Sequence, residues 1–502
     1  MKINTAHLEE VIAIGIVAVI LISVFTAVIA ETTGVVIAND TSNQEKSGED
    51  TEIYFKITGD AVQLWNKSVK GLDRGYPAGD LNEDGILDVI SEIEDAGNYK
   101  IMAFRGTDGS KNWETHLGNL GNATEGSFHS MLIDDVNGDG LLDIIAYIGR
   151  WTRYDEWSSS STTEIVTIQG TNGTELWRMV VDGSVWPDYS VGDINGDGLT
   201  DIILETRNYT TQTSHVIALR GTDGYELWNK SFNGDIRSYP AGDLNGDGLT
   251  DVVIDIADQV IALRGNDGHE LWGKTVTGAR WRRSIIPTED LNGDGMDDVV
   301  ISNQSEDEGH AEVSAVEGNN GSVLWVKAIS GEKVRMTVSQ HTEDFNEDGI
   351  IDVLLFAQTY GKGIYSYQAI AVRGNDGYEE WVADLGGSDE EYYPRAILVE
   401  DTTGDGIKDI LVEAGSSSSS RSGGHLLAIR GTDGYSEWDT TICVECSWEA
   451  HPAGDLNGDE MADVLVRTYY DTYNYWILAI KGTNGQYLWG KKIIRVQDIP
   501  CR

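Results

Sequence analysis

The sequence predicts an all-β fold made of eight repeated units, each a four-stranded antiparallel sheet. Three observations carry the prediction. An acidic motif, seen as AGDLNGDGLTDVVID at Ala241–Asp255, occurs eight times at intervals of 47 to 58 residues. A second motif, seen as IALRGTDGYELW at Ile217–Trp228, lies between acidic copies and ends in Trp each time. The runs after the acidic motif, such as DVVID, DIILE and DVLLF, are short and rich in β-branched residues, as strands are. Repeats of this length are those of propeller blades.

Within each acidic copy, positions one, three, five and nine carry oxygen donors. In chain order the sets are Asp80, Asn82, Asp84 and Asp88; Asp135, Asn137, Asp139 and Asp143; Asp193, Asn195, Asp197 and Asp201; then Asp243, Asn245, Asp247 and Asp251. The later four are Asp290, Asn292, Asp294 and Asp298; Asp344, Asn346, Asp348 and Asp352; Asp401, Thr403, Asp405 and Asp409; and Asp455, Asn457, Asp459 and Asp463. Carboxylates this close repel unless something positive sits among them. Ca²⁺ takes six to eight oxygens from a sharply turning loop, and Gly at position six permits the turn. An EF-hand would need an acid at position twelve, where this chain has residues such as Ser91, Ile254 and Val466. The acid at position nine must therefore close each site, and a strand follows. The expectation is about eight structural Ca²⁺. Two loops should bind more weakly: loop seven offers Thr403 in place of an amide, and loop eight has Glu460 in place of the turn Gly.

The second motif reads as a hairpin, a Thr/Asn-Asp/Asn-Gly turn between two strand-like runs. AGDLNGDGLTDVVI resembles the FG-GAP or VCBS repeat of integrin α-chain heads and many prokaryotic surface proteins. VIALRGTDGYELW resembles the quinoprotein-like (PQQ-type) repeat, whose Trp docks between neighbouring blades. Both resemblances imply a β-propeller, here eight-bladed. For the fourth blade they imply strands ending at SYPAG, then TDVVIDI, QVIALRG and HELWGKTV. YFKITGDAVQLWNKSV at 54–69 looks like the last two strands of a ninth unit, which would close the ring or cap its edge.

Residues 1–10 are a short stub, 11–30 an apolar span, 31–52 a polar stalk, 53–495 the propeller and 496–502 a tail. The span VIAIGIVAVILISVFTAVIA is twenty uncharged residues, enough for a transmembrane helix. An uncleaved membrane anchor, a cleaved signal and a pilin-like leader all export the remainder. Eight Asn-x-Ser/Thr sequons, from Asn39 to Asn320, agree with export. The expected place is the extracellular face of a prokaryotic cell, archaeal among the readings, or the medium after signal cleavage. With 83 acids against 36 bases, net charge −47, nucleic acid is excluded as a partner. At 40% hydrophobic residues with 15 Trp, the chain is not a disordered acidic tail. Cys443, Cys446 and Cys501 permit one disulfide in an exported protein.

The loops opposite the calcium face vary in length and several are aromatic. Trp151, Tyr154 and Trp157, the cluster Arg280, Trp281, Arg282 and Arg283, and Tyr470 with Tyr473 form a candidate ligand face. The expected function is a non-catalytic, calcium-stabilised surface propeller for adhesion or for binding protein or glycan. The alternatives are a polysaccharide-degrading lyase, a quinoprotein-like dehydrogenase, and an envelope assembly scaffold. No acid/base pair stands outside the repeat, and the adjacent cysteines usual in the quinoproteins are missing from this sequence.

Overall fold

The computed structural model of the chain describes residues 50–54, 66–70 and 72–494, apart from short stretches within the last span of which 415–423 is the longest. The apolar span 11–30 lies outside the described residues. So do the stub, most of the stalk, the cysteine side chains and the C-terminal tail. Among the described residues no helix is long and apolar enough to cross a membrane.

The described chain is all-β. Eight four-stranded antiparallel sheets follow one another, each with its strands in sequence order, an arrangement consistent with an eight-bladed propeller. The fourth sheet shows the plan: Ile236–Pro240, Val252–Ile256, Gln259–Leu263 and Glu270–Thr275. These are the four strands expected from the repeat. The acidic loop joins its first and second strands. The second strand is buried on both faces over Val252–Asp255 because a sheet packs on either side of it. Its continuous apolar run follows from that double burial. The segment ahead of the first sheet forms a two-stranded sheet of its own, with Asp50–Tyr54 paired to Asn66–Lys70.

Among the described residues an eighth cluster of Ala453, Leu465 and Ala479 lies on the last sheet alone, and seven cores are each shared by two consecutive sheets. One such cluster joins Ile203, Val216 and Trp228 of the third sheet to Val252, Ile254 and Leu263 of the fourth. The motif Trp is the peg between them. Trp228 Nε1 donates to the carbonyl of Gly265 in the next sheet at 2.5 Å. Among the described residues seven such bonds run from Trp113 to Trp438. The turn Gly of the next hairpin lies flat against the same ring. At Gly268, φ is +66° and a Cβ would sit 2.9 Å from the Trp228 ring, so only Gly fits.

The first strands of the fourth to eighth sheets pack against one another in order, which sets them on the inner side. The acidic loops also form a chain. The position-eight amide of one loop donates to the position-one carbonyl of the preceding loop: Thr200 to Asp135, Thr250 to Asp193, and Asp297 to Asp243. Residues of loops one to three line a cleft of about 630 Å³. The loops share one face, as the repeat implied.

Candidate metal loops and ligand face

Position one holds each loop in shape. In loop four the Asp243 carboxylate accepts from the amides of Gly246, Asp247 and Gly248 at 2.7 to 3.0 Å. Asp247 then accepts from Leu249 N–H at 3.0 Å. Position six is left-handed wherever it is described, with Gly248 at φ +83°. Position four is left-handed too, a demand that sequence reading missed. Six loops place Gly there, whereas Glu83 and Glu347 adopt φ +60° and +59° at a cost of about 1 kcal/mol each.

Position nine is where the two sequence motifs meet. Asp251 is fully buried. One of its oxygens accepts from Leu244 N–H at 3.1 Å and from the Asn245 amide at 2.6 Å. The other accepts from Gly265 N–H at 2.8 Å. Gly265 is the residue whose carbonyl takes the Trp228 indole. The acidic loop, the hairpin and the neighbouring sheet are thus tied through one glycine. All eight loops repeat the bond from the hairpin Gly to position nine. In loop seven the Asn amide is replaced by the Thr402 hydroxyl, 2.6 Å from Asp409, while Thr403 turns to Asp401.

Burial dominates the electrostatics of position nine. It pushes Asp251 and Asp298 up to about 6 and Asp352 up to about 7, against the opposing pull of their N–H donors. Asp88, Asp143, Asp201 and Asp409 move the same way for the same reason. Neighbouring loop carboxylates such as Asp247 and Asp348 add to the rise. The donor set suits a hard cation, since every group is a carboxylate, amide or hydroxyl oxygen. The Asn245 N–H, pressed on Asp251, supplies a partial positive charge to a buried carboxylate. Among the described residues no three acids, histidines or cysteines converge as a ready metal cage, because each carboxylate is turned onto backbone amides. The fit is therefore one of donor chemistry.

The hairpin base nearest each loop differs. Lys481 sits on Asp459 of loop eight at 2.7 Å. Arg264 faces Asp247 of loop four while bonding Asp267. The matching residue beside loop five is Glu317, and that loop carries an extra acid in Asp297.

Of the candidate ligand face, Tyr154, Trp157, Arg280, Trp281, Tyr470 and Tyr473 lie outside the described residues. Trp151 is partly exposed in the strand Asp143–Arg153. Arg282 pairs with Glu308. Arg283 is buried between the fourth and fifth sheets, donating to Asp255 at 2.6 Å and to Val276 O at 2.8 Å. It is a clamp between sheets rather than part of a solvent-facing patch.

A second set of polar groups escaped sequence reading. Position thirteen of several repeats reaches the first strand of the next sheet. Glu92 accepts from Ser130 N–H at 2.6 Å, Glu205 from Ser238 N–H at 3.1 Å, and Glu413 from Ala450 N–H at 2.5 Å. The available signal was an acid inside an otherwise apolar strand, as in the Glu92 of DVISEIE.

A family model named PQQ_2, described as outer membrane protein assembly factor BamB, matches residues 161–440, more than half of the chain. The chain belongs to that family. No curated protein matches it. Solved structures similar to it include rhamnogalacturonan lyase YesW, at 15% identity over 83% of this chain and 74% of that one, TM-score 0.38. Exotype rhamnogalacturonan lyase YesX is also 15% identical, over 79% of this chain and 71% of that one, TM-score 0.41. The V. cholerae biofilm matrix protein Bap1 is 15% identical over 83% of this chain and 79% of that one, TM-score 0.31.

Proposed function

We propose that the chain is a calcium-stabilised eight-bladed propeller of the FG-GAP/VCBS kind, built on PQQ-type blades. It is held outside a prokaryotic cell by residues 11–30, binds a protein or glycan, and carries out no chemistry. One observation carries the calcium reading. The position-nine carboxylates are buried, and the groups that meet them are N–H and hydroxyl donors without a full positive charge. Calcium would supply that charge, held by positions one, three, five and nine of each loop. Eight ions would bring the net charge from −47 to −31. At millimolar calcium each site would add on the order of 1 kcal/mol. Loop eight, with Lys481 on Asp459, would bind most weakly. Loop five, with Glu317 and Asp297, would bind most tightly.

The test is thermal melting of the full chain in 2 mM calcium and in chelator. The expected result is a midpoint higher in calcium by roughly 5 °C or more. Equal midpoints would remove the structural role of the ion. The family match favours one second reading, a scaffold for envelope assembly, in which the partner is a membrane protein rather than a glycan. Recovery of one defined envelope protein with the chain, together with no binding to a glycan array, would support that reading.

A further inference from the structure

Eight Asn-x-Ser/Thr sequons stand in the sequence, and the fold treats them differently. Asn39 and Asn122 lie outside the described residues, and Asn66 begins the strand Asn66–Lys70. The other five divide into two kinds. Asn172 and Asn320 sit in hairpin turns, and Asn208 opens a loop at the end of the strand Asp201–Asn208. Asn229 and Asn303 sit inside the strands Glu226–Asn233 and Asp298–Gln304.

In the first kind the asparagine bends back onto its own hydroxyl residue. Asn172 Oδ1 accepts from Thr174 N–H at 2.8 Å, Asn208 Oδ1 from Thr210 N–H at 3.0 Å, and Asn320 Oδ1 from Ser322 N–H at 2.7 Å. Asn172 and Asn320 are exposed, Asn208 is partly exposed, and Thr174, Thr210 and Ser322 are all exposed. This turn draws the carboxamide toward the residue two on, where a strand holds the two roughly 7 Å apart. The hydrogen bond at Oδ1 also pulls electron density from Nδ2, so that nitrogen gives up a hydrogen more readily. Nδ2 of Asn172 donates to Gln169 Oε1 at 2.9 Å, and Nδ2 of Asn320 to Glu317 Oε2 at 2.6 Å. A primary amide carries two such hydrogens, so the loss of one leaves a donor for these bonds. The second kind lacks this arrangement. Asn229 is exposed, but its Oδ1 is turned to the His215 ring of the neighbouring strand at 3.0 Å. Asn303 faces backbone: a Cβ at Gly278 would lie 2.5 Å from its Oδ1 and 2.7 Å from its Nδ2, which leaves no room for a sugar.

We infer that Asn172, Asn208 and Asn320 carry N-linked glycans and that Asn229 and Asn303 stay bare. The donor is a polyprenyl-phosphate-linked oligosaccharide. Nδ2 bonds to the anomeric carbon as the bond from that carbon to the phosphate oxygen breaks. The phosphate leaves with the electron pair, and one Nδ2 proton passes to a base on the transferase. The sites fall at both ends of the sheets. Gln169, bonded to Asn172, also donates to Asp139 of the second acidic loop at 2.7 Å, so that glycan stands beside the loop face. Asn208 opens the loop between the second and third strands of its sheet, at the opposite end. These sites rest on the extracellular placement proposed above, and go beyond it in naming the residues that receive covalent sugar.

The test is peptide mass spectrometry of the full chain, expressed in an archaeal host whose transferase reads Asn-x-Ser/Thr, with protease added outside intact cells in a parallel sample. Sugar is expected on Asn172, Asn208 and Asn320 and missing from Asn229 and Asn303. Thr174→Ala, Thr210→Ala and Ser322→Ala should each strip the sugar from one site and leave the other two. Those two report that the variant still folds and is exported. Sugar on Asn229 or Asn303 would overturn the assignment, and so would a variant that keeps the sugar at its own site. A bare chain that the external protease digests overturns the glycan sites alone. A bare chain beyond the protease's reach overturns them together with the extracellular placement.

Discussion

Glu347 shows what a single backbone angle costs in this protein. It sits at φ +59°, where six other loops have Gly at or near +80° and the loop-one copy, Glu83, strains in the same way. Glu347→Gly relieves about 1 kcal/mol of strain and gives back part of it as unfolded-chain entropy. The net expectation is a gain of about 0.5 kcal/mol, read as a higher denaturant midpoint at unchanged slope. Glu413 makes a different residue-scale prediction. Burial raises its pKa to about 7, against the opposing effects of Ala450 N–H and Arg395, while Glu449 adds to the rise. The unfolded side chain titrates near 4.3. The folded state therefore binds more protons between those values, so stability is greatest below the lower pKa and is lost as pH rises through about 7. Glu413→Gln keeps an acceptor for Ala450 but removes the titration. The difference in melting midpoint between pH 5.5 and 8 should shrink in that variant. An unchanged difference would mean that Glu413 stays ionised throughout.

Much of each element was legible because its determinants are local. Asp243, Gly248 and Leu249 answer to backbone groups within six residues, so the loop could be read from its own spacing. The hairpin turn and the strands after it follow from Gly268 and from Val252–Ile256 in the same way. Long-range pairings were not legible. Nothing near Arg283 in sequence announces Asp255, and nothing near Glu92 announces Ser130. Nor could spacing show that the two motifs meet at Gly265, which depends on how the hairpin folds back over the loop. That meeting point makes an element-scale prediction. Trp272→Phe keeps the ring and removes the indole N–H that donates to Gly318 O at 2.6 Å. A buried carbonyl then loses its partner, at about 1–3 kcal/mol. Asp298, bonded to the N–H of the same Gly318, should in consequence hold calcium less tightly in that variant. Calcium affinity equal to that of the parent would show that loop and hairpin are not coupled.

For the whole molecule the account rests on repetition. Each of the first seven sheets shares a core with the next, so stability is the sum of unit and interface contributions. A cation at every acidic loop would stiffen the seven described junctions at once. It would also lower a charge that otherwise opposes compaction. Lys481→Ala tests the ranking of sites at this scale. Removing the ammonium from Asp459 should raise the affinity of the weakest site and leave the strongest untouched. The most direct measurement is the number of calcium ions bound by the chelator-stripped full chain, by equilibrium dialysis in millimolar calcium. The account predicts about eight per chain, saturating over roughly 10⁻⁴–10⁻³ M. A count of none or one would contradict it.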